Sequence, residues 1–589
     1  MNAEPPGTSQ RARWHEVAAD DTAEVLMTAM RLAGIEHLWF VSGSELAPLQ
    51  EAAVKQRALA RPAPRLLPMT HENLAMGAAC GETMVTRRPT AAAFHIDVGL
   101  LNAGGNIHTA DRGQYPVLVL SGYPPTAEPG AVPGARDNFI QWVQQLRDQG
   151  ELVRQYMRWD HKLAPYDNAG LVITRAVQVM LSEPRGPAYL ALPREVAVSP
   201  AGGSARFPSL EQLRPATLGA GDAAALREAA GWLLEAQQPV ICADRLGRNP
   251  DAVAPLVALA ELLGARLMTT PFRLNAPQSH PLQRGMPSLA PLPPEADCVL
   301  VVDTIVPWMP GQHEPGPAAR ILRLDVDPVV RMTPLYAFPC DLSLVADSAR
   351  ALPALLEAVR AQITPAQARQ CAERSARLQE EGRGRLAAAV EAARRDGALE
   401  HVTARWASFQ LGEALDPETI VVHELGDTSL LNRSLPGTLF GSGGSHIGWG
   451  APAAIGAKVA APDRMVVCAV GDGSWMFANP QATLWAARYH RAPVLFVIFN
   501  NRGYRSGTES LLLLYPEGYA ARARDLPGGW FDPPPNYAAE AMASGAYGER
   551  VTRPGDVAPA LARGLAAVQR DGVPAVLDLW LPKLITGEV

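Results

Sequence analysis

The sequence predicts an α/β protein of three successive open parallel-sheet domains. Short apolar runs at 90–94, 240–243 and 465–470 alternate with amphipathic stretches along the chain. Many of these runs stop at Gly, Asp or His without alternating polar and apolar residues, as strands buried on both faces do. The third observation is length, since 589 residues are too many for one core.

The elements follow in order. Residues 1–18 read as an arm. A helix at 22–32 and a strand at 39–41 lead to a turn at Gly43-Ser44. A strand at 66–69 ends at Thr70-His71-Glu72-Asn73, and a helix runs on through Met76, Ala79 and Met84. The strand 90–94 opens into a glycine-bearing loop at 95–105, and strands at 116–120 and 185–193 complete a first domain, 19–198. Pro, Gly and Ser make 199–218 a linker. The central domain, 219–363, carries helices at 224–234 and 252–263 and strands at 240–243, 298–303 and 320–325. A charged, alanine-rich stretch, 364–409, reads as a solvated helical connection, and the third domain fills 410–589.

Composition narrows the function classes. A net charge of -6 argues against nucleic acid as a partner. Six cysteines without a C-x-x-C pair read as buried thiols in a reducing compartment. There is no apolar signal core near the start and no uncharged run of about 18 apolar residues. A cytoplasmic protein that does not span a membrane is expected.

The stretch 465–504 concentrates the chemistry. One apolar run stops at Gly471-Asp472-Gly473, a helix opens at Pro480, and a second run stops at Asn500-Asn501-Arg502-Gly503. A right-handed crossover puts Asp472 and Asn501 on one carboxyl edge, where open sheets bind ligands. Their oxygens are hard ligands suited to Mg²⁺, and Gly471 and Gly473 let the backbone approach a diphosphate. Thr428, Ser429 and Ser474 are candidate hydroxyl or main-chain donors to it, or caps of their own turns.

The Gly-Asp-Gly and Asn-Asn pair resembles the motif of thiamine diphosphate (ThDP) enzymes. Residues 20–585 resemble their decarboxylase and acetolactate synthase branch, with pyrimidine-binding, central and diphosphate-binding domains in that order. The resemblance implies that Asp472, Asn501 and the Gly503 carbonyl hold the metal, with Tyr504 also at the cofactor. It implies that Glu72, in a His-Glu pair, activates the cofactor and that Ile447 wedges its two rings together. It also implies a homodimer or homotetramer in which Glu72 of one chain meets Asp472 of its partner.

The side-chain pattern is most like that of the benzoylformate decarboxylases. Ser44 at the first turn, His95 at the matching spacing after Glu72, and His280 before Pro281 stand where that resemblance implies proton-handling groups, a task suited to imidazoles. The expected activity is a ThDP- and Mg²⁺-dependent lyase or carboligase acting on a 2-oxo acid or related small carbonyl compound. Asp97 departs from the pattern and places an extra carboxylate beside the cofactor. It opens the alternatives of an acetolactate synthase-like transferase, a 2-hydroxyacyl-CoA lyase or a diketone-cleaving hydrolase; a noncatalytic scaffold is the other class. His108 and His446 are further candidate acids, and 511–516 is a candidate lid. The resemblance leaves FAD open as an added cofactor of the central domain, for which the sequence carries no signal.

Overall fold

Buried runs rich in Val, Leu and Ala pair in parallel wherever a helix carries the chain back across a sheet. The computed structural model describes residues 13–286 and 290–583, so residues 1–12 of the expected arm lie outside it. The chain divides into two compact units, one ending at Thr217 and one beginning at Leu218.

The first unit contains β1 (Trp14–Asp21), β2 (His37–Phe40), β3 (Arg65–Pro68), β4 (Thr90–Phe94), β5 (Val117–Tyr123), β6 (Trp159–Lys162), β7 (Ala188–Pro193) and β8 (Pro200–Pro208). Six of these form a parallel sheet in the order β3-β2-β4-β5-β7-β6. β4 and β5 are buried at every residue, so they read as continuous apolar runs.

Three expectations need correcting. β1 and β8 pair antiparallel as a separate ribbon, so the end of the arm and the first part of the linker are strands. Gly202 and Gly203, both at positive φ, hide β8 in the sequence, while Phe207 at its end is fully buried. The loop expected at 95–105 is the start of a helix, Ile96–Arg112. Its glycines lower helix propensity, but packing on the helix Glu72–Thr86 overrides that. A Cβ at Gly99 would lie 3.0 Å from Phe94 Cβ and 3.4 Å from Glu72 Cγ.

The third correction is in the second unit. The connection 364–409 is two helices, Pro365–Asp396 and Ala404–Ala414, and the first is docked. Thr364 and Gln367 form a capping box at its start. Arg374 is buried and donates to the carbonyls of Leu263, Gly264, Ala236 and Gln237. Gly382 lies so close to the Pro281 carbonyl that a Cβ would come within 1.8 Å of its oxygen.

That unit holds two parallel sheets. β9 (Pro239–Ala243), β10 (Arg266–Thr269), β11 (Cys298–Val302), β12 (Arg320–Asp325) and β13 (Leu342–Val345) are ordered β10-β9-β11-β12-β13. β14 (Ile420–Glu424), β15 (Leu439–Gly441), β16 (Val466–Gly471), β17 (Leu495–Asn500), β18 (Tyr547–Val551) and β19 (Ala575–Trp580) are ordered β15-β14-β16-β17-β19-β18.

All three parallel sheets are wound alike. The second strand in sequence lies on one side of the first and the third on the other. This reversal opens a crevice at the carboxyl edge, between β2 and β4, between β9 and β11, and between β14 and β16. Among the described residues no helix is long and apolar enough to cross a membrane. All six cysteines are free, and Cys340 is the exposed one.

Candidate active site

In the first unit the crevice is lined by the residues that follow β2, β3 and β4. Past β2 the chain turns through Gly43, where a Cβ would fall 2.1 Å from the His95 ring, into Ser44 and Glu45. Glu45 is fully buried. Its Oε2 accepts from Ser44 Oγ at 2.8 Å and from His95 Nε2 at 2.5 Å, and Ser44 Oγ lies 3.5 Å from the same nitrogen. Burial pushes the Glu45 carboxyl up, but the bonds from His95 and Ser44 outweigh it and hold the group below its ordinary range. The sequence reading picked Ser44 and His95 and missed Glu45, which joins them.

Glu72 opens its helix after β3, half-buried, and its Oε2 accepts from Asn102 Nδ2 at 3.2 Å. Asp97 is buried, with Oδ1 accepting from the Val98 N–H at 2.8 Å, so it is bonded within the first turn of its own helix. Ile96 between His95 and Asp97 sits at φ 46°, a strained conformation for a β-branched residue. His108, farther along, packs edge to face on Tyr156.

In the second unit the crevice between β14 and β16 holds the Asp472 group. Asp472 is 1% exposed, and its Oδ2 accepts from the Gly503 N–H at 2.8 Å. Asn501 Oδ1 accepts from the same N–H at 3.2 Å, so one donor gathers both candidate ligands. Burial pushes the Asp472 carboxyl up to about 7, against the pull of main-chain N–H groups led by Gly503. A Cβ at Gly471 would meet nothing within 4 Å, whereas one at Gly473 would come within 2.8 Å of the Tyr504 ring. A buried acid beside an amide oxygen and an open backbone cradle fits Mg²⁺ and a diphosphate. Among the described residues no group of three His, Cys, Asp or Glu is placed to hold a metal ion. Asn500 serves the sheet instead, donating to Asp578 at 2.7 Å.

Glu424, at the end of β14, is the other residue missed. Its two oxygens accept from the Gly448 and Gly450 N–H groups, and the Ser474 hydroxyl also bonds it. It braces the loop that carries the half-buried Ile447, and its burial raises its carboxyl. The signal available was an acid ending a buried strand beside a winding reversal. His446 packs edge to face near Phe477.

Other candidates are placed differently. Thr428 is buried, and its hydroxyl and carbonyl oxygens accept from Gln278 Nε2 at 2.9 and 2.8 Å. Ser429 is exposed and donates its N–H to Asp427. His280 Nε2 lies 3.2 Å from Glu261 Oε1 and its Nδ1 accepts from the Leu282 N–H. Tyr504 packs edge to face on Phe531 at 4.9 Å. Residues 511–514 of the candidate lid end the helix Arg505–Leu514, where Leu513 and Leu514 are 82% and 69% exposed.

Comparison with known proteins gives matches over all three domains. Residues 20–152 match the thiamine pyrophosphate enzyme N-terminal TPP binding domain, 226–355 the central domain, and 424–579 the C-terminal TPP binding domain. The chain is 28% identical over 454 residues to benzoylformate decarboxylase of Pseudomonas aeruginosa, covering 74% of this chain and 78% of that one. It is 28% identical over 564 residues to the acetolactate synthase large subunit of Mycobacterium tuberculosis, covering 93% and 94%. Among solved structures, the thiamine diphosphate-dependent 4-hydroxybenzoylformate decarboxylase of Rhodococcus jostii shares the fold. Its TM-score is 0.75 at 22% identity, over 96% of this chain and 100% of that one.

Proposed function

This chain belongs to the thiamine diphosphate-dependent enzymes of the decarboxylase and acetolactate synthase branch, and from that membership we propose a Mg²⁺-dependent lyase or carboligase acting on a 2-oxo acid or related carbonyl compound. The observation that carries the reading is the hydrogen-bonded Ser44, Glu45 and His95 at the winding reversal of the first sheet. A carboxylate that fixes an imidazole and a hydroxyl on one side leaves the other ring edge to exchange protons with substrate oxygen or carbon.

Asp472, Asn501 and the Gly503 carbonyl would hold Mg²⁺, and Gly471, Gly473 and Ser474 would border the diphosphate. When bound, ThDP supplies a nucleophilic carbon and an electron sink that let a bond beside a carbonyl break or form. Glu72 would hold a proton at its carboxyl oxygen for the pyrimidine ring, and Ile447, on the loop braced by Glu424, would press the rings together. His95 and Ser44 would move protons at the substrate carbonyl. A role for His280 as a proton handler rests on the family resemblance, and its bond to Glu261 supports a positioning task. The proposed active unit is a homodimer or homotetramer, Glu72 of one copy serving Asp472 of another. Acyl transfer of the acetolactate synthase type is the second reading, favoured by the longer alignment with the synthase.

The test is a panel of aryl and alkyl 2-oxo acids and 2-hydroxyacyl thioesters, offered with ThDP and Mg²⁺ while CO₂, aldehyde and condensation products are followed. Turnover should require both cofactors and collapse in Glu72→Gln. Cofactor binding without any product across the panel would exclude the reading.

A further inference from the structure

Apart from the crevice between β2 and β4, the first unit holds a cavity of about 390 Å³ lined by residues of β5, β6 and β7 and of the segment 147–154. Its floor is a built polar network. Gln149, 1% exposed, donates through Nε2 to Ser121 Oγ at 2.6 Å, to the Gly122 carbonyl at 2.9 Å and to the Tyr189 hydroxyl at 3.1 Å. The Ser121 and Tyr189 hydroxyls are themselves 2.7 Å apart. Burying such groups is costly unless they are paired, and here the side-chain carbonyl of Gln149 alone has no partner.

The rim carries charge. Asp148 and Asp160 are both spent on Arg154, whose guanidinium bonds them at 2.7 and 2.9 Å, and His161 is held by Asp167 at 2.8 Å. Arg147 and Lys162 also line the cavity, and neither pairs with a carboxylate among the described residues. The Lys162 ammonium lies 3.9 Å over the Tyr123 ring. Arg147, Arg154 and Lys162 against Asp148 and Asp160 leave the rim one positive charge in excess above a neutral polar floor, and that excess favours a negative group beside Arg147 and Lys162.

We infer that this cavity binds a small organic anion, a carboxylate or phosphate monoester whose charge is taken by Arg147 and Lys162. Arg147 offers a planar fork and Lys162 a point charge, and the volume falls in the range of small-molecule sites. One residue joins the cavity to the Ser44, Glu45 and His95 group. Gly122 accepts from Gln149 on one side, and on the other a Cβ there would lie 2.6 Å from Glu45 Cβ. The anion is therefore either the far end of the carbonyl substrate or a separate effector whose binding reaches Glu45.

The test is calorimetric titration of the full-length enzyme, loaded with ThDP and Mg²⁺, with inorganic phosphate, succinate and glycerol 3-phosphate at low ionic strength. At least one probe should bind saturably, one per chain, and Arg147→Ala and Lys162→Met should each weaken it about tenfold or more. Arg331→Met, at an exposed arginine of the other unit, should change nothing. Calorimetry reads this site whether or not the proposed carbonyl chemistry holds. Where turnover is measurable, competition with substrate and a raised KM in Arg147→Ala identify a substrate group, and a change in kcat without competition identifies an effector. No saturable binding of any probe, or binding untouched by both substitutions, would overturn the site.

Discussion

The crevice of the first sheet and that of the third arise from one winding, yet they collect opposite kinds of group. Between β2 and β4 the side chains bond one another, hydroxyl to carboxylate to imidazole. Between β14 and β16 they bond main-chain N–H groups, Asp472 and Asn501 at Gly503 and Glu424 at Gly448 and Gly450. Side chains tied to one another can pass protons, whereas acceptors tied to backbone are held still for a ligand. The winding decides where a site lies, and the residues at the strand ends decide its task.

The strongest test of that contrast is Asp472→Ala, which should weaken ThDP binding in Mg²⁺ more than about 100-fold, the scale on which polar partners of a metal act. Equilibrium dialysis reads it, and undiminished binding would remove the third crevice as a cradle. Glu45→Gln should do the reverse, lowering kcat about 10- to 100-fold with cofactor affinity nearly unchanged. Equal losses of both would erase the distinction. Because Glu45 is held below its ordinary range, its contribution to stability is present above about pH 4.3 and lost in stronger acid.

A smaller effect separates the two regions by their response to acid. His423, at the end of the third sheet's first strand, is buried, its ring bonded to the Pro271 carbonyl, and burial lowers its pKa to about 4. A depressed folded value means that the stability from the neutral ring is complete above about pH 6.5 and lost as pH falls toward the folded value. Urea unfolding at pH 7 and 4.5 should show about 2 kcal/mol lost by the second unit, a slope that His423→Gln flattens. The smallest effect is that of Gly473→Ala. Its new Cβ would crowd the Tyr504 ring, costing about 1 kcal/mol with a shift of that ring in tyrosine fluorescence; an unchanged melting curve would show that the ring yields freely.

Much of this was legible in order along the chain. The three parallel sheets follow from buried apolar runs, and Asp472 and Asn501 follow from one strand-helix-strand unit whose geometry is local. Glu45 was not, because a glutamate opening a short helical turn looks the same whether it faces water or a histidine fifty positions on. Glu424 and the helix at Ile96–Arg112 were hidden for related reasons. Partners of Glu424 come from a later loop, and the glycines of that helix are tolerated because Glu72 and Phe94 press against it.

The sequence by itself determined the fold class and the residues at the carboxyl edge of the third sheet, since periodicity and turn chemistry act over a few residues. Only the tertiary structure decided that Glu45 links Ser44 to His95, that His280 turns to Glu261, and that the arm and linker pair as β1 and β8. Those contacts join segments far apart in the chain, and no local preference selects them; they form because burying one polar group requires another to meet it.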